Sequence, residues 1–362
     1  MHLIEITGSN PLEIVPGKYL CEDINAGEML AFGWCKVLGP GSAVLPNGSF
    51  RSFSAKEDWN GKKILFVRPG GFGDLLFLTP TFAEIKRRWP ETEIHVACYD
   101  RYREALMHNP DINSFVPYPV PMELWGRFQG HVWLENIIEN NPEARLLHAV
   151  DVIAHRVGLE FDDKAMRYFV RPEEKAEAER DFPRFPDRPI RVGLQMTASG
   201  ACRVYPMMHE LSNRLWRDNG HEVFIFGRAG EIKTNEPEGV VNLTMKGKKF
   251  RQSCAILTTC DVIVAPDSAL VHVAGALGIP CVGLYGPFPW KFRTAYAPNT
   301  FSLQGVCPVS PCFHHSRPGT GPFPRNGPCF ETGKCEALAA ISVDRVIRQV
   351  EKMTEWPKKA IA

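Results

Sequence analysis

The stretches Ile64-Leu-Phe-Val-Arg-Pro-Gly-Gly-Phe-Gly-Asp74 and Asp261-Val-Ile-Val-Ala-Pro-Asp-Ser-Ala-Leu-Val-His272 decide the fold. Each reads as an apolar strand, a tight turn and the start of a helix, and each sets an aspartate just past the strand's carboxyl end. Ligands bind at that edge in a doubly wound α/β sheet. Asp74 and Asp267 are therefore expected to face ligand crevices, as two halves of one active site.

The same alternation continues outward from both stretches. From Lys62 it runs strand (Ile64 to Arg68), glycine turn, helix (Leu75 to Trp89), strand (Glu93 to Cys98) and helix (Arg101 to His108), as a parallel sheet with crossovers requires. A polar, Pro-rich stretch from Arg171 to Pro189 holds a helix and then a linker, and marks a boundary. Strands then follow at Ile190 to Gln195, Glu222 to Phe226, Val262 to Ala265 and Cys281 to Tyr285. Helices at Pro206 to Asn219, Phe250 to Thr259 and Ala269 to Leu277 lie between them.

Upstream, β-type runs at Tyr19-Leu-Cys21, Met29-Leu-Ala-Phe32 and Ser42-Ala-Val-Leu45 alternate with turn signals, so a small antiparallel β subdomain is expected. The sequence thus predicts an α/β protein of two Rossmann-like domains facing a cleft. The predicted division is a β subdomain at 1–57, Rossmann-like domains at 58–187 and 188–341, and a final helix within 342–362 that Ser342 N-caps. A Cys-rich loop at 305–336 sits inside the second domain.

A chain of 362 residues has room for roughly two domains, and 44% apolar with 23% charged residues excludes a disordered protein. The net charge of +1 argues against nucleic acid as a partner and leaves at most peripheral membrane contact, despite the local Lys86-Arg87-Arg88 run. No stretch reaches the ~18 apolar residues that span a bilayer, and Met1-His-Leu-Ile-Glu5 is not the start of a signal peptide; a cytoplasmic protein is expected. Cys98, Cys254, Cys260 and Cys281 lie in apolar elements and read as small buried hydrophobes, in keeping with a reducing compartment.

Gly70, Gly71 and Gly73 permit a turn whose N–H groups point where the next helix directs its positive end. The spacing is not G-x-G-x-x-G, so a nicotinamide cofactor is disfavoured. Taken alone, Asp74 is as well explained as a helix cap. The loop Thr197-Ala-Ser-Gly-Ala-Cys-Arg203 offers the hydroxyls of Thr197 and Ser199, the amide of Gly200 and the guanidinium of Arg203, a fork suited to phosphate. The plain alternative is a solvated polar loop. Asp267 and Ser268 open another helix, and His272 shares Ser268's face at a spacing of four; the alternative is a cap and a core histidine.

Cys307-x4-Cys312-x16-Cys329-x5-Cys335 places four thiols in a loop too rich in Gly and Pro to have a core. Tetrathiolates suit a structural zinc or iron ion. Reduced structural cysteines or disulfides are the alternatives, and His314 and His315 compete as ligands.

Together, Ile64-Leu-Phe-Val-Arg-x4-Gly73-Asp74-x4-Thr79-Pro80, Asp267-Ser-x3-His272-x-Ala274-x-Ala276-Leu-Gly-x-Pro280 and Gly286-Pro287 resemble glycosyltransferase family 9. These are ADP-heptose-dependent heptosyltransferases of the GT-B fold. The resemblance implies an inverting transfer without a catalytic metal, with Asp74 as general base. Arg203 and its loop would stabilise the departing diphosphate. The donor, ADP-heptose, would be held by Gly73, Thr197, Ser199, Gly200, Arg203, Glu231, Asp267, Ser268 and His272, with domain 188–341 taking the donor and 58–187 the acceptor.

Where the family often has Lys followed by Trp-Pro, this chain has Arg203-Val-Tyr-Pro206, which keeps the cation. The N-terminal β segment and the Cys-rich loop are similar to the autotransporter heptosyltransferases. That similarity implies a serine acceptor on a protein, beside the glycan acceptors of the lipopolysaccharide enzymes, and iron on Cys307, Cys312, Cys329 and Cys335. A sugar-nucleotide epimerase and a non-catalytic sugar-nucleotide-binding protein share the fold and are the competing expectations. A homo-oligomer is compatible with all of these readings.

Overall fold

The computed structural model describes residues 2–6, 17–21, 35–40, 52–138, 141–232, 239–314, 329 and 333–355. The chain forms two compact units, Met1–Asn141 with Val150–Lys164, and Pro142–Ala149 with Ala165–Ala362.

In the first unit, β1 (His2–Ile6), β2 (Gly17–Cys21) and β3 (Cys35–Pro40) make an antiparallel sheet in the order β2-β1-β3. The runs expected at Met29–Phe32 and Ser42–Leu45 lie outside the described residues. A parallel sheet follows, built from β4 (Lys63–Val67), β5 (Glu93–Ala97), β6 (Ser114–Val116) and β7 (Gly130–Trp133) in the order β6-β5-β4-β7. Ile64, Leu65, Phe66 and Val67 are all buried, the continuous apolar run that a sheet covered on both faces demands.

The single helix expected over Leu75 to Trp89 is instead two, Phe72–Leu76 and Thr79–Arg88. Pro80 explains the break: it fits the first turn of the second helix but cannot sit inside a continuous one. The helix expected over Arg101 to His108 is a 3-10 turn, Asp100–Ala105.

The second unit carries six parallel strands, β8 (Arg191–Gln195), β9 (Glu222–Phe226), β10 (Val241–Asn242), β11 (Val262–Pro266), β12 (Cys281–Tyr285) and β13 (Thr300–Gln304). Their order, β10-β9-β8-β11-β12-β13, is the dinucleotide-fold order with β8 as its first strand. Helices Met208–Arg217 and Val343–Thr354 lay Leu211, Leu215, Val346 and Val350 into one core with Val192, Val264 and Val282. Ser342 caps the last helix by accepting from the Arg345 N–H at 3.3 Å.

Helix Pro172–Asp181 belongs to this unit, tied in by the ion pair of Glu174 with Arg251 of helix Phe250–Leu257. The division between units therefore falls after Lys164 and not at 187, where the Pro-rich stretch suggests it. Among the described residues no helix is long and apolar enough to cross a membrane.

At the amino ends of β8 and β9 a buried network joins three segments. Arg191, 1% exposed, donates through Nε to Glu222 Oε2 at 2.7 Å, through Nη2 to Glu222 Oε1 at 3.0 Å, and through Nη1 to Thr259 Oγ1 at 2.7 Å. Its backbone N–H donates to Asp261 at 2.8 Å. Removing one partner leaves a buried charge unmatched, so Glu222→Ala is expected to lower stability by about 3–5 kcal/mol, read from denaturant unfolding followed in the second unit.

Candidate functional site

In both parallel sheets the strand order turns about the first strand. Chain segments leaving β4 and β7, or β8 and β11, open a crevice at the carboxyl edge, the place where such sheets bind ligands.

In the first unit Asp74 occupies that edge. It lies inside helix Phe72–Leu76 and not at its cap; Gly71 is the cap residue, with φ of 85°, and makes no side-chain cap bond. A Cβ on Gly71 would come within 1.9 Å of Asp74 Oδ2, so the carboxylate fills the space that any other residue would take there. Gly73 follows in the same turn, its carbonyl accepting from the Phe77 N–H at 3.3 Å.

Arg68, at the end of β4, sits 3.2 Å from Asp74 through Nη2 and donates through Nη1 to the Leu134 carbonyl past β7 at 2.9 Å. That buried arginine thus stitches the two sides of the crevice and aims the carboxylate. Its place inside the strand motif was visible in the sequence, but its role was not. Asp74 itself stays 32% exposed at the side chain.

In the second unit the loop after β8, the segment after β9 and the start of the helix after β11 meet. Gly200 begins the 3-10 turn Ala201–Arg203. Arg203 donates through Nη1 to the Asp267 carbonyl at 3.1 Å and through Nη2 to Ser199 Oγ. Its Nε is buried and has no partner.

Asp267, 5% exposed, has Arg203 Nη1 at 3.8 Å, Arg293 Nε at 3.9 Å and His272 Nε2 at 3.9 Å. Burial, helped by the two guanidiniums and opposed by Asp267, pushes His272 down to about 4, so its ring is neutral at pH 7. Two guanidiniums against one carboxylate leave a positive charge in excess.

Asp267 is not the helix cap. Ser268 is the cap residue of helix Ala269–Leu277, and its hydroxyl donates to Gln195 Oε1 and toward the Pro266 carbonyl at 3.1 Å. Gln195 Oε1 also accepts from the Leu270 N–H at 3.3 Å, so the last residue of β8 caps the helix across the sheet.

Glu231, past β9, accepts from the Thr197 hydroxyl and from the Arg228 N–H at 2.8 Å. Burial alone would raise its pKa, but these hydrogen bonds and the Arg228 guanidinium hold it below the usual carboxylate value. Thr197, Ser199, Gly200, Arg203, Glu231, Asp267, Ser268 and His272 thus fall in three adjoining segments of one unit. Gln195 and Arg293 were missed by the sequence reading; neither stands in a recognisable spacing with its partners.

Cys307, Cys312, Cys329 and Cys335 form no disulfide among the described residues. Cys312 feels the thiols of Cys307 and Cys329, and Cys335 those of Cys329 and Cys312; burial raises both, Cys335 to about 12. The donor set suits a thiophilic ion. Yet among the described residues no three His, Cys, Asp or Glu side chains are arranged to hold one, and the Cys329 sulfur instead accepts from the Glu336 N–H at 3.4 Å. His315 lies outside the described residues.

The family model for glycosyltransferase family 9 (heptosyltransferase) matches residues 126–320. Lipopolysaccharide heptosyltransferase 2 of Salmonella typhimurium is 25% identical, over 62% of this chain and 83% of its own. Its counterpart in Escherichia coli K12 is 24% identical over the same shares. Among solved structures, E. coli ADP-heptose lps heptosyltransferase II superposes with a TM-score of 0.61 at 19% identity, covering 81% of this chain and 98% of that one. The iron-containing dodecameric glycosyltransferase TibC of enterotoxigenic E. coli gives 0.61 at 16% identity, covering 82% and 77%.

Two expectations follow from the geometry. Gly71→Ala, which strains the backbone and displaces the Asp74 carboxylate, is expected to abolish most activity while the far-UV circular dichroism of the whole chain is kept. For His272 the folded pKa of about 4 lies below the unfolded value of about 6.5, so its share of stability is complete above pH 6.5. That share is lost as pH falls from there to 4, reaching about 3 kcal/mol. His272→Gln should flatten stability across that window; an unchanged slope contradicts the assignment.

Proposed function

The chain belongs to glycosyltransferase family 9, and from that premise we propose that it moves a heptose from ADP-heptose to a hydroxyl of a glycan or protein acceptor. The observation that carries the reading is the excess positive charge around buried Asp267, next to the hydroxyls of Ser199 and Ser268 and the unpartnered Arg203 Nε. A nucleoside diphosphate supplies the missing anion, and a guanidinium fork takes two of its oxygens. The name of the TibC complex, which contains ADP-D-beta-D-heptose, supports adenine and heptose as the donor's two ends. Glu231, kept ionised and anchored by Thr197, is suited to accept from the hydroxyls of a ribose.

On this reading Asp74 is the general base. An alcohol is a poor nucleophile at neutral pH, so its proton must leave to a carboxylate as its oxygen bonds to the anomeric carbon. Arg68 holds that carboxylate in place. The bond to the diphosphate breaks at the same time, and the charge that develops on the leaving oxygen is met by Arg203. The four clustered thiols are part of the same reading as ligands of one structural iron or zinc ion, supported by the thiophilic donor set and by TibC being an iron-containing protein. A closed tetrathiolate leaves no open position for catalysis, so no step passes through it.

Asp74→Asn keeps the size of the side chain but not its basicity. Transfer should fall by about 10²–10⁴-fold while donor affinity and melting temperature hold; near-parental turnover refutes the base assignment. Arg203→Ala should weaken donor binding by about 1.5–3 kcal/mol in a calorimetric titration, and unchanged affinity places the diphosphate elsewhere. Elemental analysis of anaerobically purified protein should find about one iron or zinc per chain, and well under one refutes the metal proposal.

A further inference from the structure

Arg101 follows β5 at the same carboxyl edge that presents Asp74. Its guanidinium lies over two tyrosine faces, 5.4 Å from the Tyr99 ring centre and 4.9 Å from that of Tyr102. The residue is exposed and makes no ion pair among the described residues, whereas its neighbour Arg103 takes Asp100 at 2.8 Å. A cation on an aromatic face is held in orientation at little cost to its hydration, with its hydrogen-bond donors still free.

The platform is physically continuous with the turn that carries Asp74. A Cβ on Gly70 would come within 2.5 Å of the Tyr102 ring, so that ring packs flush on the glycine turn. Phe72, two residues before Asp74, meets the same ring edge-on at a centroid distance of 5.0 Å. The Tyr99 N–H donates to the Pro69 carbonyl at 2.9 Å and ties the platform to the strand end from the other side. Rotating Arg101 away from this edge would forfeit both aromatic contacts, while the rings themselves stay packed on the turn.

We infer that Arg101 selects the acceptor by binding an anionic group, a phosphate or carboxylate, on a sugar beside the accepting hydroxyl. The inference rests on the reading that the first unit receives the acceptor. A glycan is favoured over an acidic peptide by the names of the relatives matched in sequence, lipopolysaccharide heptosyltransferases at 24–25% identity over 83% of their length. A lysine would supply the same charge; only the planar fork can bind two oxygens of one group while stacked.

The test is a calorimetric titration of the full chain, with excess ADP present to fill the donor site. The probes are glucose 6-phosphate, glucose and a glutamate-rich peptide, and the proteins are the parent, Arg101→Ala and Arg101→Lys. The parent is expected to bind glucose 6-phosphate and not glucose. Arg101→Ala should weaken that binding by roughly tenfold or more, with Arg101→Lys between the two and ADP affinity unchanged in all three. Absence of binding in the parent, equal binding of glucose, or undiminished binding in Arg101→Ala overturns the proposal. Binding of the peptide alone, lost in Arg101→Ala, overturns the glycan assignment. Because the readout is binding and not proton transfer, a failure of the Asp74 assignment would appear in turnover of Asp74→Asn and leave this result untouched.

Discussion

Asp267 is a carboxylate taken almost wholly out of water, and such a charge persists only where cations and hydrogen-bond donors replace the lost hydration. Arg203 and Arg293 meet it from two different segments, and the neutral ring of His272 closes a third side. The arrangement works in both directions. Without Asp267, two guanidiniums would lie together in a low-dielectric surrounding; with it, they are held together and leave one positive charge in excess. The loop after β8, the helix after β11 and the short helix Lys291–Thr294 are all positioned by this one requirement.

The two aspartates that look alike as strand-end carboxylates turn out to differ in kind. The Asp74 side chain is 32% exposed and is paired with Arg68, in a turn that only glycine permits. The Asp267 side chain is 6% exposed and faces inward. Exposure suits a group that must meet a substrate hydroxyl, and burial suits one that organises cations. On the proposed reading, the same parallel-sheet edge serves proton abstraction in one unit and anion binding in the other.

The second sheet is legible in the sequence because strands covered on both faces must be apolar at their centres: β11 and β12 are apolar throughout, β9 after Glu222, and β8 between Arg191 and Gln195. β13 does not, since only Leu303 of its five residues is buried and its neighbours in sequence are rich in Gly, Pro and Cys. The carboxylates, the hydroxyl loop and His272 could be picked out because each lies beside a strand end. Gln195 and Arg293 could not: Gln195 meets Ser268 across 73 positions, a pairing that no local spacing encodes. Pro80 announced a helix start, yet reading through it joined two helices into one, an error that the ring's fixed geometry corrects.

Under the proposed roles, Asp74 as base and Arg203 at the leaving group, transfer is one displacement in which the new bond forms on the face opposite the departing diphosphate. The configuration of the product tests this most directly. Proton NMR of the anomeric centre, recorded early in a reaction with a donor of defined anomeric form, is predicted to show a linkage of inverted configuration. A retained configuration would require a covalent or front-face intermediate and would contradict the role given to Asp74.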